Sequence, residues 1–221
     1  MLDAAATAWL AAVLLAGCDW AFSLSHLDAP LPDAPACPLE SDAFDGPGVC
    51  DAWGYPLSAG SHVERIENGE LVLLPGGSTP NNTGCVSRLA FPFELRGANV
   101  EVTAVGAGAA QYNSLIAFWG GDTADGTMIG ASVTTIGLRD ASGMMRGSAP
   151  YDPVAMRWWR LRPSDDRSEV IAELSPDGHA WTELGRDPRP APATLKVQIQ
   201  SGVYAPTTPT PMRVASFDAC P

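Results

Sequence analysis

Few side chains in this sequence can do chemistry. There are three histidines, His26, His62 and His179. None sits at ligand spacing from a cysteine, and His179 falls in a Pro-Asp-Gly turn, where exposure is the default. No HExxH, GxSxG, Walker loop or strand followed by GxGxxG occurs, so no motif for zinc, serine-nucleophile or nucleotide chemistry is present. No catalytic residue is therefore assigned. Gly120-Gly121-Asp122-Thr123-Ala124-Asp125-Gly126 offers Asp122 and Asp125 as oxygen ligands for Ca²⁺. The plain Gly/Asp turn is the favoured reading of the same string, and no cofactor is expected.

Tryptophan, arginine and glutamine supply a different chemistry. A sugar ring stacks on an aromatic face while Arg and Gln bond its hydroxyls. In Arg157-Trp158-Trp159-Arg160-Leu161-Arg162, a period of two puts Trp159 and Leu161 on one face and Trp158, Arg160 and Arg162 on the other. In residues 195–202, Val197 and Ile199 oppose Lys196, Gln198 and Gln200 in the same way. The expected carbohydrate site combines Trp158 and Arg160 with Gln198 and Gln200 from a nearby strand. The competing reading pairs Arg160 and Arg162 with Glu169 and Glu173 across strands.

The remaining chemistry is in the five cysteines. Residues 4–16 form an apolar run broken by Thr7, too short to span a bilayer and suited to the core of an export signal. It ends in Leu15-Ala16-Gly17-Cys18, which resembles the lipobox of bacterial lipoproteins, although Met1-Leu2-Asp3 lacks the usual basic residue. The resemblance implies acylation of Cys18 and anchoring to the cell envelope. Asp19 follows, and the choice between inner and outer membrane stays open. Cys37, Cys50, Cys85 and Cys220 are then left, an even number in an exported chain, with three possible connectivities. Cys50–Cys85 with Cys37–Cys220 is favoured, because the second bond would tie the start of the domain to its last strand.

The elements that must position these groups follow from composition. The 221 residues carry 22 Gly and 20 Pro, too many breakers for a helical bundle. Hydrophobic residues make up 46% and charged residues 17%, as a packed core requires. A net charge of −12 excludes a phosphate-binding surface, so no nucleic acid partner is expected. The predicted organisation is a signal peptide over 1–17, an extended Pro-rich tether over 18–43 and a β domain over 44–221. About eleven strands are predicted: 61–66, 70–74, 85–95, 99–105, 113–119, 127–138, 157–162, 169–174, 180–184, 195–203 and 212–217. They suit one two-layer antiparallel β-sandwich, a jelly roll.

The string Ser175-Pro176-Asp177-Gly178-His179-Ala180-Trp181 closes a hairpin. The WWRLR strand lies before it, and Ala215-Ser216-Phe217-Asp218 ends the chain's last strand. This order resembles bacterial concanavalin A-like, laminin G-type lectin/glucanase domains. Only about the last 60 residues carry the motifs. The related laminarinases use a strand with E-x-D-x-x-E, whose alternate carboxylates enter one cleft, and no such string is present here. The expectation is a lipid-anchored, non-enzymatic envelope protein binding glycan through an outer sheet face. Two alternatives are a protein-interaction or structural envelope lipoprotein without a glycan ligand, and a glycosidase whose carboxylate pair is not recognisable in the sequence.

Overall fold

The structure is a computed structural model that describes residues 41–46, 48–51, 53–78, 81–118 and 126–219. The signal peptide, most of the tether, Cys18, Cys37, Asp122, Asp125 and Cys220 lie outside the described residues. No described residue is helical, and two antiparallel sheets face each other.

The first sheet, sheet A, runs in the order β14 (Thr182–Asp187), β13 (Val170–Ser175), β12 (Trp158–Pro163), β7 (Ala98–Ala104), β16 (Met212–Asp218), β4 (Glu70–Pro75) and β3 (His62–Glu67). β1 (Ser41–Asp42) also pairs with β16. Sheet B runs β11 (Met145–Pro150), β10 (Thr135–Arg139), β9 (Thr127–Ala131), β8 (Gln111–Phe118), β15 (Thr194–Val203), β5 (Asn81–Ser87) and β2 (Gly54–Ala59). β6 (Phe91–Pro92) adds to the end of β15.

The core fills the space between the sheets with alternate residues of each strand. Sheet A contributes Leu71, Leu73, Val100, Trp159, Leu161, Val214 and Phe217. Sheet B contributes Leu115, Ala117, Ile129, Leu138, Val197 and Ile199. Trp159 and Leu161 are fully buried, as the period of two predicts, while Trp158 is half-buried.

The strand count exceeds the sequence expectation, for local reasons. The predicted strand 127–138 is two strands, β9 and β10. The turn 132–134 is Ser-Val-Thr and carries neither Gly nor Pro to mark it. The predicted strand 85–95 is the end of β5 followed by the short β6. β2 and β11 were not expected, since Pro56 in one and Gly147 and Pro150 in the other read as breakers.

The two edges of the sandwich are tied. At one edge Glu64 of β3 reaches across to β5, accepting hydrogen bonds from Thr83 Oγ1 at 2.6 Å and the Gly84 amide at 3.2 Å. At the other, Asp187 at the end of β14 accepts one from Thr127 Oγ1 of β9 at 2.5 Å. Cys50 and Cys85 form a disulfide that closes a 35-residue separation. On the chain-entropy account such a closure stabilises by about 4 kcal/mol.

Candidate functional site

The four residues expected to form one carbohydrate site do not come together. Trp158 and Arg160 lie on the outer face of sheet A. Gln198 and Gln200 lie on the outer face of sheet B, on the far side of the core. Alternation shows which face of its own strand a residue occupies. It is silent on which sheet that strand joins, and this is why the grouping fails.

On sheet A the groups are already engaged. Arg160 is bonded to Glu173 through Nε at 2.7 Å and Nη2 at 2.6 Å, and Arg162 meets the same carboxylate at 3.0 and 3.1 Å. The Arg160 guanidinium also stacks on Trp181, 3.9 Å from the ring centre. Burial of Arg160 lowers its pKa, against the raising effect of Glu173. The Trp158 ring lies over Gly178, which takes the left-handed conformation (φ +77°) that closes the hairpin. The competing cross-strand pairing thus holds at Glu173, while Glu169 instead meets Arg186 at 2.9 Å.

Sheet B carries a different surface. Reading the pairing register across its seven strands, one outward row is Tyr55, Val86, Gln198, Ile116, Met128, Arg139 and Met145. The adjacent row is Leu57, Gly84, Gln200, Ser114, Gly130, Gly137 and Ser148. The second row is low at Gly84, Ser114, Gly130 and Gly137 but carries Leu57 at one end and Gln200 at its centre, and Met145 leans over Gly137, so a shallow trench runs beside the taller first row. At about 4.8 Å per strand the trench crosses the sheet for about 29 Å, perpendicular to the strands. At Gly130 a Cβ would meet only Met128 Cε, 3.9 Å away, so the floor is open there. Near that end a hollow of about 320 Å³ is lined by Ile116, Met128, Arg139 and Asp140.

Among the described residues, some polar atoms of the trench have no partner. Gln198 Nε2 donates to Gln200 Oε1, leaving Gln198 Oε1 with no bond. Ser114 Oγ beside it is also buried and unbonded, as is Asn82 Oδ1 one row further on. Gln198 is 2% exposed and Ser114 fully buried. A buried acceptor without a donor costs about 1–3 kcal/mol. Burial raises the pKa of the neighbouring Tyr112 phenol.

The outward positions of these strands carry no carboxylate among the described residues. Asp140 at the rim is committed to its own turn. Its carboxylate accepts from Ser142 Oγ at 2.5 Å, the Ser142 amide at 2.9 Å, the Met144 amide at 3.0 Å and Arg146 Nε at 2.7 Å. The Ser142 hydroxyl is the largest of the influences that hold its pKa at about 2. Among the described residues no cluster of three His, Cys, Asp or Glu could hold a metal ion.

Two more turns use the same device. The Ser168 amide holds Asp166, and the Ala180 amide holds Asp177, each at about 2. A depressed carboxylate contributes stability above its unfolded pKa of about 3.9 and loses it as pH falls through the folded value. The melting temperature is therefore expected to drop steeply between pH 4 and pH 2. Equal melts at pH 5 and pH 2.5 would refute this.

The trench went unseen in the sequence because its residues are neighbours only through pairing. One signal was available. Leu115-Ile116-Ala117-Phe118 is apolar at every position, and a strand facing solvent on one side alternates. Ile116 and Phe118 had to lie against something.

No protein-family model and no curated protein matches the sequence. Solved structures do match in fold. One is SCLam, a non-specific endo-β-1,3(4)-glucanase from family GH16, at 12% identity and a TM-score of 0.57, covering 80% of this chain and 88% of that one. LamA from Zobellia galactanivorans, solved with laminaritriose and laminaritetraose, has 10% identity and a TM-score of 0.56 and covers 80% and 96%. An endo-acting O-glycanase of the human gut microbiota has 14% identity and a TM-score of 0.55 and covers 83% and 99%. These likenesses correct the sequence expectation of a non-enzymatic protein, because the sandwiches that resemble this one are in the main glycan-cleaving enzymes. The chain has the concanavalin A-like β-sandwich fold of the GH16 glucanases.

Proposed function

We propose that this chain hydrolyses a β-glucan-type polysaccharide laid in the trench of sheet B. The observation that carries this reading is the trench itself. It is a cross-strand channel, long enough for several sugar units, with unpartnered polar atoms in its floor and wall. The fold it shares with endo-glucanases supports the reaction class. Glycoside hydrolysis of this kind uses two carboxyl groups, and the described outward residues offer none. The LAGC string at Cys18 would hold the enzyme at the cell envelope.

The test is release of reducing ends from laminarin. Gly130→Leu should abolish turnover by filling the trench while leaving the melting temperature within a few degrees. Absence of turnover by the native chain on laminarin, lichenan and mucin O-glycans would overturn the proposal.

A further inference from the structure

On the side of the trench away from the tall wall, the outer face of sheet B has a third row, at Asn82, Gly202 and Tyr112. Gly202 raises no side chain, and the Tyr112 ring reaches across it from the neighbouring strand. A Cβ on Gly202 would stand 2.5 Å from Tyr112 Cζ and 2.8 Å from Cε1. The ring therefore lies down over the glycine instead of standing off the sheet. Part of Tyr112 remains exposed.

Tyr204 continues this line. It follows Gly202 by two residues, its amide donates to the Ala110 carbonyl at 3.1 Å, and it is 69% exposed. Diagonal neighbours on adjacent strands stand about 7–8 Å apart, so Tyr112 and Tyr204 make a shelf of two aromatic rings. The shelf runs along the strands, whereas the trench runs across them. Where the two meet stands Gln200, opposite Ser114 and next to Gly202 along β15. Its amide oxygen accepts from Gln198 Nε2, which leaves its amide nitrogen as the donor toward a ligand. An aromatic face with an amide beside it is the combination that holds a sugar ring by stacking and by its hydroxyls. The sequence suggested that chemistry at Trp158, and the fold assembles it at Tyr112.

We propose that the substrate is a branched glucan, with its main chain in the trench and its side-chain sugars stacked on Tyr112 and Tyr204. The inference rests on the trench being the substrate cleft. A linear chain in the trench passes Gln200 but misses the shelf, because the two rows of the shelf lie about 7 and 14 Å to one side at 3.4 Å per residue. A short side chain leaving the main chain at right angles meets Tyr112 first and Tyr204 next. Shielding of Gly202 would account for Tyr112 without a ligand. It does not account for Tyr204, which stays open to solvent on the same line.

The experiment is titration calorimetry of the full chain with two β-1,3-linked hexasaccharides, one linear and one bearing a 6-linked glucosyl branch. The branched sugar should bind about tenfold more tightly, the order of one aromatic stacking contact. Tyr112→Phe keeps the ring and should keep the preference. Tyr112→Leu and Tyr204→Ala should each erode it several-fold and leave the affinity for the linear sugar unchanged. If Tyr112→Leu melts well below the native chain, because Gly202 has lost its cover, the exposed position Tyr204→Ala is read in its place. Equal affinities of the native chain for the two sugars overturn the proposal, as does a preference that survives the loss of both rings. Release of reducing ends is recorded on the same samples. Turnover without a branch preference sinks the shelf alone, a ring-dependent preference without turnover sinks the hydrolase reading alone, and binding of neither sugar sinks both.

Discussion

Trp159→Ala is expected to cost about 3–5 kcal/mol, the range for removing a large aromatic from a packed core. Among the described residues Trp159 is the largest fully buried side chain, paired in register with Val100 and Leu174. Its indole N–H donates to the Met156 carbonyl at 2.9 Å, and its ring meets Tyr151 edge-on at 6.4 Å. Alanine leaves a cavity, an unbonded carbonyl and a Tyr151 ring without its partner. Domains of this size have about 5–15 kcal/mol in total, so the variant should be marginal or unfolded in a urea titration. Trp158→Ala is the control. Trp158 is half-buried and rests on a turn glycine, and its loss should cost far less. Equal destabilisation of the two would mean that both faces of β12 are core.

The second large effect is expected at the sandwich edge, where Asp187 is fully buried. Beyond its bond from Thr127, it forms an ion pair with Arg189 Nη2 at 2.5 Å and is met by Arg189 Nε at 3.0 Å. Removing one partner of a buried pair costs about 3–5 kcal/mol, because the other is left uncompensated. Arg189 retains a third of its exposure, and water can recover part of its charge, so Asp187→Ala belongs at the lower end. The double variant Asp187→Ala/Arg189→Ala should be less than additive in a thermodynamic cycle. A loss under about 1 kcal/mol in Asp187→Ala would show the link between sheets to be incidental, of the size of a surface pair.

What the sequence revealed and what it concealed divide along one line. Period-two patterns declared the inward residues of β12 and β15 correctly, because burial of one face is written into neighbouring residues. The hairpin at Gly178 was equally local, since Pro176 and Gly178 answer to their own backbone angles. Strand neighbours are not local. Nothing in Trp158 or Gln198 says that their strands belong to opposite sheets. Gly84, Gly130 and Gly137 each read as a weak strand position, and only the register aligns them into one floor. The carboxylate question had the same limit, since the sequence could show that E-x-D-x-x-E is absent but not which acids stand near the trench.

The position of β15 in sheet B bears on how the molecule assembles. It lies between β5 and β8, so Gln198 neighbours Val86 across more than a hundred residues of chain. Sheet B therefore cannot close until the last quarter of the polypeptide is available, and every row of the trench is interrupted until then. Non-local pairing of this kind folds in milliseconds to seconds rather than microseconds. Synthesis adds only about 5–20 residues per second, so a nascent chain spends several seconds with β5 and β8 made and their shared partner missing. The trench is thus among the last features to exist, and a truncated or half-folded chain presents no such channel to any polymer.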